Sequence, residues 1–335
     1  MNIDYALIWA GLIAFGVLAY VCLDGFDLGV GILFPFAKDV DERDQMMNSV
    51  APVWDGNETW LVLGGGGLFA VFPLAYSIIM PALYAPFFVM LLALVFRGVA
   101  FEFRWKSQHR KYIWDWAFAT GSAVAAFAQG VALGTLVQGI RVSERAYAGN
   151  SLDWLSPFSL LTGCALLIGY ALLGSTWLIL KTEGRLQNRA YQQARFSAIG
   201  LICMIIAVSL WTPFLQAHFL AKWFAWPAML FVAPVPLLVL VATFSLFHGL
   251  RFKKALSPFL SAQSLFILSY IGLVISFFPY IVPTSVTLWD AAAPDNSLKF
   301  ILTGAVVLIP IILSYTAYSY WVFRGKVKSS SSYHA

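Results

Sequence analysis

The stretch from residue 6 to residue 36 reads ALIWAGLIAFGVLAYVCLDGFDLGVGILFPF, and it decides the fold class. It is almost entirely apolar and longer than the about 20 residues that a helix needs to cross a hydrocarbon layer of about 30 Å. The whole chain has this character, because 60% of its 335 residues are hydrophobic and only 11% are charged. Such a chain cannot cover a globule with polar surface, so the sequence predicts a membrane protein. It is too apolar to be disordered, and its runs are too long for a transmembrane β-barrel.

Eight further apolar runs follow the first one. The predicted spans are 6–36, 53–77, 80–102, 113–140, 157–180, 196–220, 226–248, 258–282 and 299–323. The sequence therefore predicts an all-α polytopic membrane protein with nine transmembrane helices. The connections between the spans are too short to bury a core of their own, so we expect all chemistry in or at the bilayer.

The Lys and Arg residues are concentrated in every second connection. With the N-terminus placed outside, the connections on the inner side hold sixteen of them. The other side holds only Arg141, Arg145, Lys222 and Lys299. This asymmetry predicts a periplasmic N-terminus and a cytoplasmic C-terminus. It also accounts for the net charge of +5 without a nucleic-acid partner.

The charge distribution suggests a division of the chain into four parts. Residues 1–141 are predicted to form a first four-helix bundle that holds an ionisable cluster. Residues 142–282 are predicted to form a second, more apolar four-helix bundle, and residues 283–325 the ninth helix with its preceding loop. The serine-rich tail, residues 326–335, is predicted to be disordered.

Five ionisable residues lie inside the predicted spans of the first half: Asp24, Asp27, Asp55, Glu58 and Arg97. Each acidic pair has i, i+3 spacing, which predicts that both members point to one helix face, a face that lipid would not tolerate. The depth of each residue along its span places all five toward the cytoplasmic side. Two interpretations stay open: a proton-uptake route made of carboxyl groups, or an Asp–Arg lock that holds helices in register.

Two other features bear on the kind of site that the chain can hold. The glycine run Gly64–Gly67 is expected to let helix backbones approach closely, and it lacks the Lys-Ser/Thr that would follow in a phosphate-binding loop. His218 and His248 are expected near opposite membrane faces, so they cannot form an axial pair for one haem. We therefore expect no metal or cofactor ligands in this chain, and we place the electron transfer in a partner.

Several ordered motifs resemble subunit II of cytochrome bd ubiquinol oxidase. They are DGFDLGVG at Asp24–Gly31, WDGNETW at Trp54–Trp60, FRG at Phe96–Gly98, FPY at Phe278–Tyr280, PTS at Pro283–Ser285, LWDA at Leu288–Ala291 and PIILSYTA at Pro310–Ala317. The resemblance spans nearly the whole chain. The compact length and the run over residues 96–103 are more similar to the cyanide-insensitive branch.

The resemblance implies a nine-helix subunit of the bacterial inner membrane, paired with a homologous subunit I. That partner carries two b-type haems and one haem d, oxidises quinol and reduces oxygen to water with protons from the cytoplasm. A bound quinone and a small accessory transmembrane subunit remain open.

The resemblance also implies roles for individual residues. It gives Asp27, Asp55 and Arg97 importance for a proton path or for structure, and it places Trp60 at the wall of an oxygen-access path. Asp24 and Glu58 are added to this set on their spacing alone.

Two alternatives compete with a role in a quinol oxidase. A secondary transporter could use buried carboxylates, but its usual marks are an internal repeat and charges from both halves, and here the charges come from one half. A purely structural scaffold would use Asp27 and Arg97 only to hold helices together. Both alternatives stay open on the sequence.

Overall fold

The computed structural model describes residues 3–107 and 109–327, and these residues are nearly all helical. The helices of the first half are α1 (Tyr5–Leu33), α2 (Val40–Val50), α3 (Trp54–Val71), α4 (Pro73–Ala82), α5 (Tyr84–Lys106) and α6 (Lys111–Gln138). Those of the second half are α7 (Pro157–Lys181), α8 (Gly184–Trp211), α9 (Ala217–Phe224), α10 (Ala228–Val232), α11 (Pro234–Arg251), α12 (Leu256–Phe277), α13 (Leu288–Ala291) and α14 (Asp295–Val322). Two short antiparallel hairpins complete the chain, β1 (Val142–Ser143) with β2 (Ala146–Tyr147) and β3 (Tyr280–Val282) with β4 (Val286–Thr287).

Within the described ranges, eight helices are long and apolar enough to cross a membrane: α1, α5, α6, α7, α8, α11, α12 and α14. The all-α, polytopic architecture is therefore confirmed. The predicted span 53–77 is the one without a counterpart among these eight. Its residues form α3, whose first turns are polar, and part of the separate short helix α4. The chain leaves the helical conformation at Phe72, because Pro73 disfavours the α conformation in the residue before it.

Two other predicted spans have displaced starts. The span predicted at 196–220 is α8, which begins at Gly184. Its first turns bury Leu186 and Ala190 in the core, and Arg189 there forms an ion pair with Glu42. The span predicted at 226–248 is α11, which begins at Pro234, a residue that suits the first turn of a helix because it needs no N–H partner there. The predicted disordered tail lies outside the described residues from position 328 onward.

The bundle has two chemically different ends. At the basic end, Arg43 and Arg104 both bind Asp115, which follows the start of α6. At the hairpin end, the two β-hairpins pack on α4, and Trp9 of α1 donates to the Leu298 carbonyl of α14 at 3.0 Å. A large core of buried residues from α1, α5, α6, α7, α8, α11 and α12 occupies the space between the ends.

The two ends of the described chain lie at opposite ends of the bundle. Asp4 caps α1 by accepting from the Leu7 amide at 2.9 Å, and it also accepts from the indole N–H of Trp289, at the hairpin end. These two hydrogen bonds favour the ionised carboxylate and hold the pKa of Asp4 below its ordinary value of 3.8. At the other end of the chain, the Val327 amide donates to the Lys181 carbonyl at 2.8 Å, at the basic end.

At the crossing of α1 and α7, glycines let the two helix backbones approach closely. A Cβ atom added at Gly29 would lie 1.9 Å from the carbonyl oxygen of Tyr170, and one added at Gly174 would lie 2.2 Å from the carbonyl carbon of Gly29. The expectation that Gly64–Gly67 makes the close approach is wrong. The two middle glycines of that run have no atom within 4 Å of such a Cβ, and the outer two meet only side chains of α1.

Candidate functional site

Arg97 of α5 lies at the centre of a buried ion cluster. Its Nη2 atom is 2.9 Å from Asp24 Oδ1 and 3.9 Å from Asp27 Oδ2, and its Nη1 atom is 2.5 Å from Glu58 Oε1. The side chains of Arg97, Asp24 and Asp27 are fully buried, and that of Glu58 is 26% exposed. One guanidinium group from α5 therefore meets carboxyl groups from α1 and α3.

The cluster holds more carboxyl groups than cations. If all three carboxyl groups were ionised, the single charge of Arg97 would leave two negative charges uncompensated in a buried site, which is energetically costly. Charge balance is reached when two of the three carry protons. The arrangement can therefore hold and exchange protons while the guanidinium group stays charged.

Packing on several sides buries the Arg97 side chain. A Cβ atom added at Gly121 of α6 would lie 2.7 Å from the Ala93 carbonyl oxygen and 3.1 Å from the Arg97 amide, so the α6 backbone lies directly against α5 there. On another side, the Arg97 guanidinium carbon lies 5.9 Å from the centre of the Trp54 ring and 5.7 Å from that of Phe101, distances typical of cation–π contacts.

Neutral polar side chains that the sequence analysis did not single out complete the cluster. Asn57 donates to Asp27 Oδ2 at 2.6 Å and accepts from the Tyr320 hydroxyl at 3.0 Å. On α6, Gln129 donates to the Tyr20 hydroxyl at 2.8 Å and accepts from that of Tyr170. A pattern of charged residues does not indicate such neutral groups, although Asn57 lies within the WDGNETW motif.

Asp55 does not belong to the buried cluster. It is exposed in the first turn of α3, whereas Glu58, three residues later, faces Arg97. Residues at i and i+3 on a helix are about 60° apart around its axis, which is enough to separate an inward from an outward side chain. The predicted pair therefore spans the boundary between the buried cluster and the surface.

Trp60 lies one turn and a half beyond Asp55 on the buried side of α3. It is 1% exposed and meets the ring of Phe15 edge-on, with ring centres 5.6 Å apart. Its indole N–H has no hydrogen-bond partner within the described part of the chain.

A second charged cluster, at the basic end, differs from the first in its ratio of positive to negative groups. The fully buried Arg104 binds Asp115 at 2.5 Å and Asp44 at 2.6 Å, and Arg43 binds Asp115 from the other side at 3.2 Å. Two arginines face two aspartates here, so the positive and negative groups are equal in number. This cluster ties α2, α5 and α6 together at the basic end.

The two histidines considered as an axial pair for a haem, His218 and His248, each pack against an aromatic ring. His218 packs edge-on against Tyr280, and His248 packs against Phe252 at the end of α11. In residues 3–107 and 109–327, no three His, Cys, Asp or Glu side chains form a group that could hold a metal ion.

The fold and the site define a class: a polytopic α-helical membrane protein with a buried cluster of carboxyl groups around one arginine. Residues 5–323 match the profile of the family described as cytochrome bd terminal oxidase subunit II. The chain belongs to this family, so it is a subunit of a membrane quinol oxidase and a multi-pass protein of the bacterial inner membrane.

Individual relatives agree with this assignment. The cytochrome bd-I ubiquinol oxidase subunit 2 of Escherichia coli (strain K12) is 32% identical over 366 residues, which cover 97% of this chain and 96% of the relative. The cytochrome bd ubiquinol oxidase subunit 2 of Bacillus subtilis (strain 168) is 32% identical over 330 residues, covering 96% of each chain. A chain of the bd oxidase structure from Geobacillus thermodenitrificans has a similar fold, with a TM-score of 0.71 at 10% identity, over 96% of this chain and 98% of that one.

Proposed function

We propose that this chain provides a proton-uptake route from the cytoplasm in a quinol oxidase and supports the subunit that carries out electron transfer. The observation that carries the proposal is the excess of buried carboxyl groups around Arg97. Reduction of one O2 to two waters consumes four electrons and four protons, so the oxidase needs a route for protons to the site of reduction. In this proposal the haems b and d lie in subunit I, and this chain ligates none of them.

The acidic residues of α3 suggest where the route begins. Asp55 is exposed in the first turn of α3, Glu58 is 26% exposed one turn further on, and the fully buried Asp24 and Asp27 lie beyond it across Arg97. Burial thus increases in steps from Asp55 into the cluster. We place proton entry at Asp55 and proton exchange at Glu58 and the two aspartates.

The direction of uptake depends on how the chain crosses the membrane. We propose that α3 is the ninth crossing, because its 18 residues rise about 27 Å. It begins beside α2 at the basic end, and at its other end Val71 and Phe72 join the core at the hairpin end. With the basic end in the cytoplasm, the N-terminus is periplasmic and the C-terminus cytoplasmic.

Other predictions remain proposals within the same function. An oxygen-access path beside Trp60 fits the buried indole ring, whose apolar contact with Phe15 suits an apolar solute. A quinone bound in this subunit, a small accessory subunit and the division at residues 141, 282 and 325 stay predictions.

The second candidate is a structural lock. Full burial of Asp24, Asp27 and Arg97 favours it, because removing one partner of a buried ion pair is strongly destabilising whether or not protons move through it. The two roles can coexist in one cluster, so the test must separate slower turnover from failed assembly.

The test uses Glu58→Gln and Asp27→Asn in the assembled oxidase. Each variant keeps a hydrogen-bonding side chain of the same shape but cannot carry a proton. We expect quinol-driven oxygen consumption to fall at least about tenfold, with normal haem content, because proton transfer by a positioned group contributes about 10²–10⁴ in rate. Proton uptake by vesicles that contain the complex should fall in parallel.

Glu102→Gln is the matched control, because Glu102 is an exposed α5 carboxylate that pairs only with Lys106 in the described structure. Normal turnover with normal haem content in both test variants would favour the lock. Transport of a solute by the chain without its partner would favour the secondary transporter.

A further inference from the structure

A hydrogen-bond chain links Asp27 to the C-terminal part of α14. The Asn57 amide nitrogen donates to Asp27 Oδ2 at 2.6 Å and to the Leu23 carbonyl at 3.3 Å. The Tyr320 hydroxyl donates to Asn57 Oδ1 at 3.0 Å. The Asn57 side chain is fully buried, and both of its polar atoms have partners. These hydrogen bonds therefore join α1, α3 and α14 at the buried cluster.

The same tyrosine lines a cavity at the basic end. The cavity has a volume of about 310 Å³, room for several water molecules at about 30 Å³ each. Its lining includes Asn48, Ser49, Trp177, Lys181, Tyr320 and Lys326. Because these residues come from α2, α7, α14 and the segment after α14, the cavity lies on the side of the cluster that faces the basic end. The Tyr320 side chain thus borders this cavity and also contacts the amide that binds Asp27.

The orientation of the Asn57 amide decides whether its NH2 group or its carbonyl oxygen faces Asp27. An ionised carboxylate can only accept hydrogen bonds, so the amide must turn its NH2 group toward Asp27. The Tyr320 hydroxyl stabilises this orientation by donating to the amide oxygen on the opposite side. Amides do not pass protons on readily, so this pair holds Asp27 in place and does not itself conduct.

We propose that Asn57 and Tyr320 are positioning residues that set the pH at which Asp27 gains and loses its proton during turnover, and that they tie this residue to the cavity at the basic end. The inference rests on the proposed function, in which Asp27 exchanges protons. It adds a connection through α14 that is separate from the acidic residues of α3.

The charged and titratable groups around Asp27 and the cavity come from five helices. On these helices they are Tyr20 and Asp24 of α1, Glu58 of α3, Arg97 of α5, Tyr170 and Lys181 of α7, and Tyr320 of α14; Lys326, in the segment after α14, also lines the cavity. All except Tyr320 are retained when Tyr320 is replaced by phenylalanine. A change in pH dependence in that variant therefore reports the loss of one hydroxyl group.

The test compares the pH profile of quinol oxidase turnover in the assembled parent complex and in Tyr320→Phe. Without the hydroxyl group, the amide loses its fixed orientation and donates less well to ionised Asp27, so Asp27 keeps its proton to higher pH. We expect the alkaline limb of the profile to move up by about half to one pH unit, with haem content unchanged. Tyr318→Phe, which removes a hydroxyl from an exposed position two residues earlier on α14, should leave the profile in place.

Asn57→Asp is the second variant and decides the question if Tyr320→Phe does not assemble. It places a carboxyl group against Asp27, and two carboxyl groups at this distance share a proton, so the limb should move up further. A Tyr320→Phe profile that superimposes on that of the parent overturns the inference. If Tyr320→Phe does not assemble, an Asn57→Asp profile that is not shifted from that of the parent also overturns the inference. Loss of the haem-containing complex in both variants overturns it as well, because the pair would then be purely structural.

Asp27→Asn separates this inference from the function on which it rests. If Asp27→Asn slows turnover while the Tyr320→Phe profile stays in place, the positioning role fails and the proton route stands. If Asp27→Asn also has no effect on turnover, the proton route through this residue fails as well.

Discussion

Arg97 is the residue on which the buried cluster depends. It is the only cation that contacts Asp24, Asp27 and Glu58 among the residues that the structure describes. Its guanidinium group can bind two carboxylates at once because its donors point in different directions. Without it, three carboxyl groups would face one another in a buried site.

Replacing Arg97 by methionine should therefore destabilise the assembled complex. We expect a loss of about 3–5 kcal/mol, because breaking a buried ion pair leaves uncompensated charge. Thermal unfolding and the yield of haem-containing complex measure the effect. Lys106→Met is the control: its side chain is 74% exposed, and its pair with Glu102 should contribute no more than about 1 kcal/mol. An Arg97→Met complex as stable as this control would contradict the assignment of Arg97 as the centre of the cluster.

The sequence predicted the charged members of the cluster better than its neutral ones. Asp24, Asp27, Glu58 and Arg97 stand out because charges are rare in apolar spans, and the structure brings these four together. The side on which Asp55 lies could not be read from spacing, because i, i+3 positions straddle the edge of a buried face. Contacts with residues such as Tyr320, which is 263 positions from Asn57, depend on packing that no local pattern encodes.

Among the elements, the crossing of α1 and α7 positions the cluster. Gly29 lies between Asp27 and the end of α1, and it is in direct backbone contact with α7. This contact fixes the rotation of α1 about its axis. It thereby fixes the direction in which the two aspartates point.

Gly29→Ala should consequently reduce the stability of the complex. Its Cβ atom would lie 1.9 Å from a backbone oxygen of α7, so the two helices would have to separate. Overpacking of this kind costs about 1–3 kcal/mol, measurable as a lower unfolding temperature. Gly11→Ala on the same helix is the matched control, because its Cβ would meet no atom within 4 Å. Equal unfolding temperatures for the two variants would contradict the tight crossing.

Lys181 ties the segment after α14 to the end of α7. Its ammonium group donates to the carbonyl oxygens of Phe323 and, at 3.0 Å, Gly325, and its own carbonyl accepts from the Val327 amide. This segment forms one wall of the cavity beside Tyr320. The side chain of Lys181 thus holds this segment against the end of α7.

Lys181→Met should release this wall. We expect the Val327 amide to exchange with deuterium about tenfold faster or more, because a hydrogen bond from a charged group contributes about 1.5–3 kcal/mol. Lys254→Met, an exposed lysine after α11, is the control and should not change this exchange. Unchanged exchange at Val327 in Lys181→Met would show that the lysine does not hold the segment.

Across the described structure, the chain provides protonatable groups and holds His218 and His248 on different helices. His218 of α9 contacts Tyr280 of β3, and His248 of α11 contacts Phe252, which follows that helix. A b-type haem with two histidine ligands needs both on opposite sides of one iron. Within the described residues, this pair does not meet that requirement.

We therefore expect the chain purified without its partner to lack haem absorption, and the complex to show b- and d-type bands. A visible spectrum of each preparation checks this, with protein quantified in parallel. Stoichiometric haem in the isolated chain would contradict the placement of the redox centres in subunit I.

The overall architecture was predictable from hydropathy because long apolar runs have few alternatives to membrane helices. The details that failed lie where polar residues enter a helix. Arg189 in the first turns of α8 forms an ion pair with Glu42, and the polar first turns of α3 reduce its mean hydropathy. The ion pair is a contact between elements, which the hydropathy of a single span does not include.

The polar start of α3 also bears on how the growing chain enters the bilayer during synthesis. Asp55, Asn57 and Glu58 oppose partition of α3 into lipid by itself, since each charged group at depth costs about 2.5–3.5 kcal/mol on insertion. The neutralising guanidinium group arrives only with α5, the next long helix to leave the ribosome. We therefore expect the two segments to leave the translocon as a hairpin, which would let the ion pair between Glu58 and Arg97 form before α3 meets lipid.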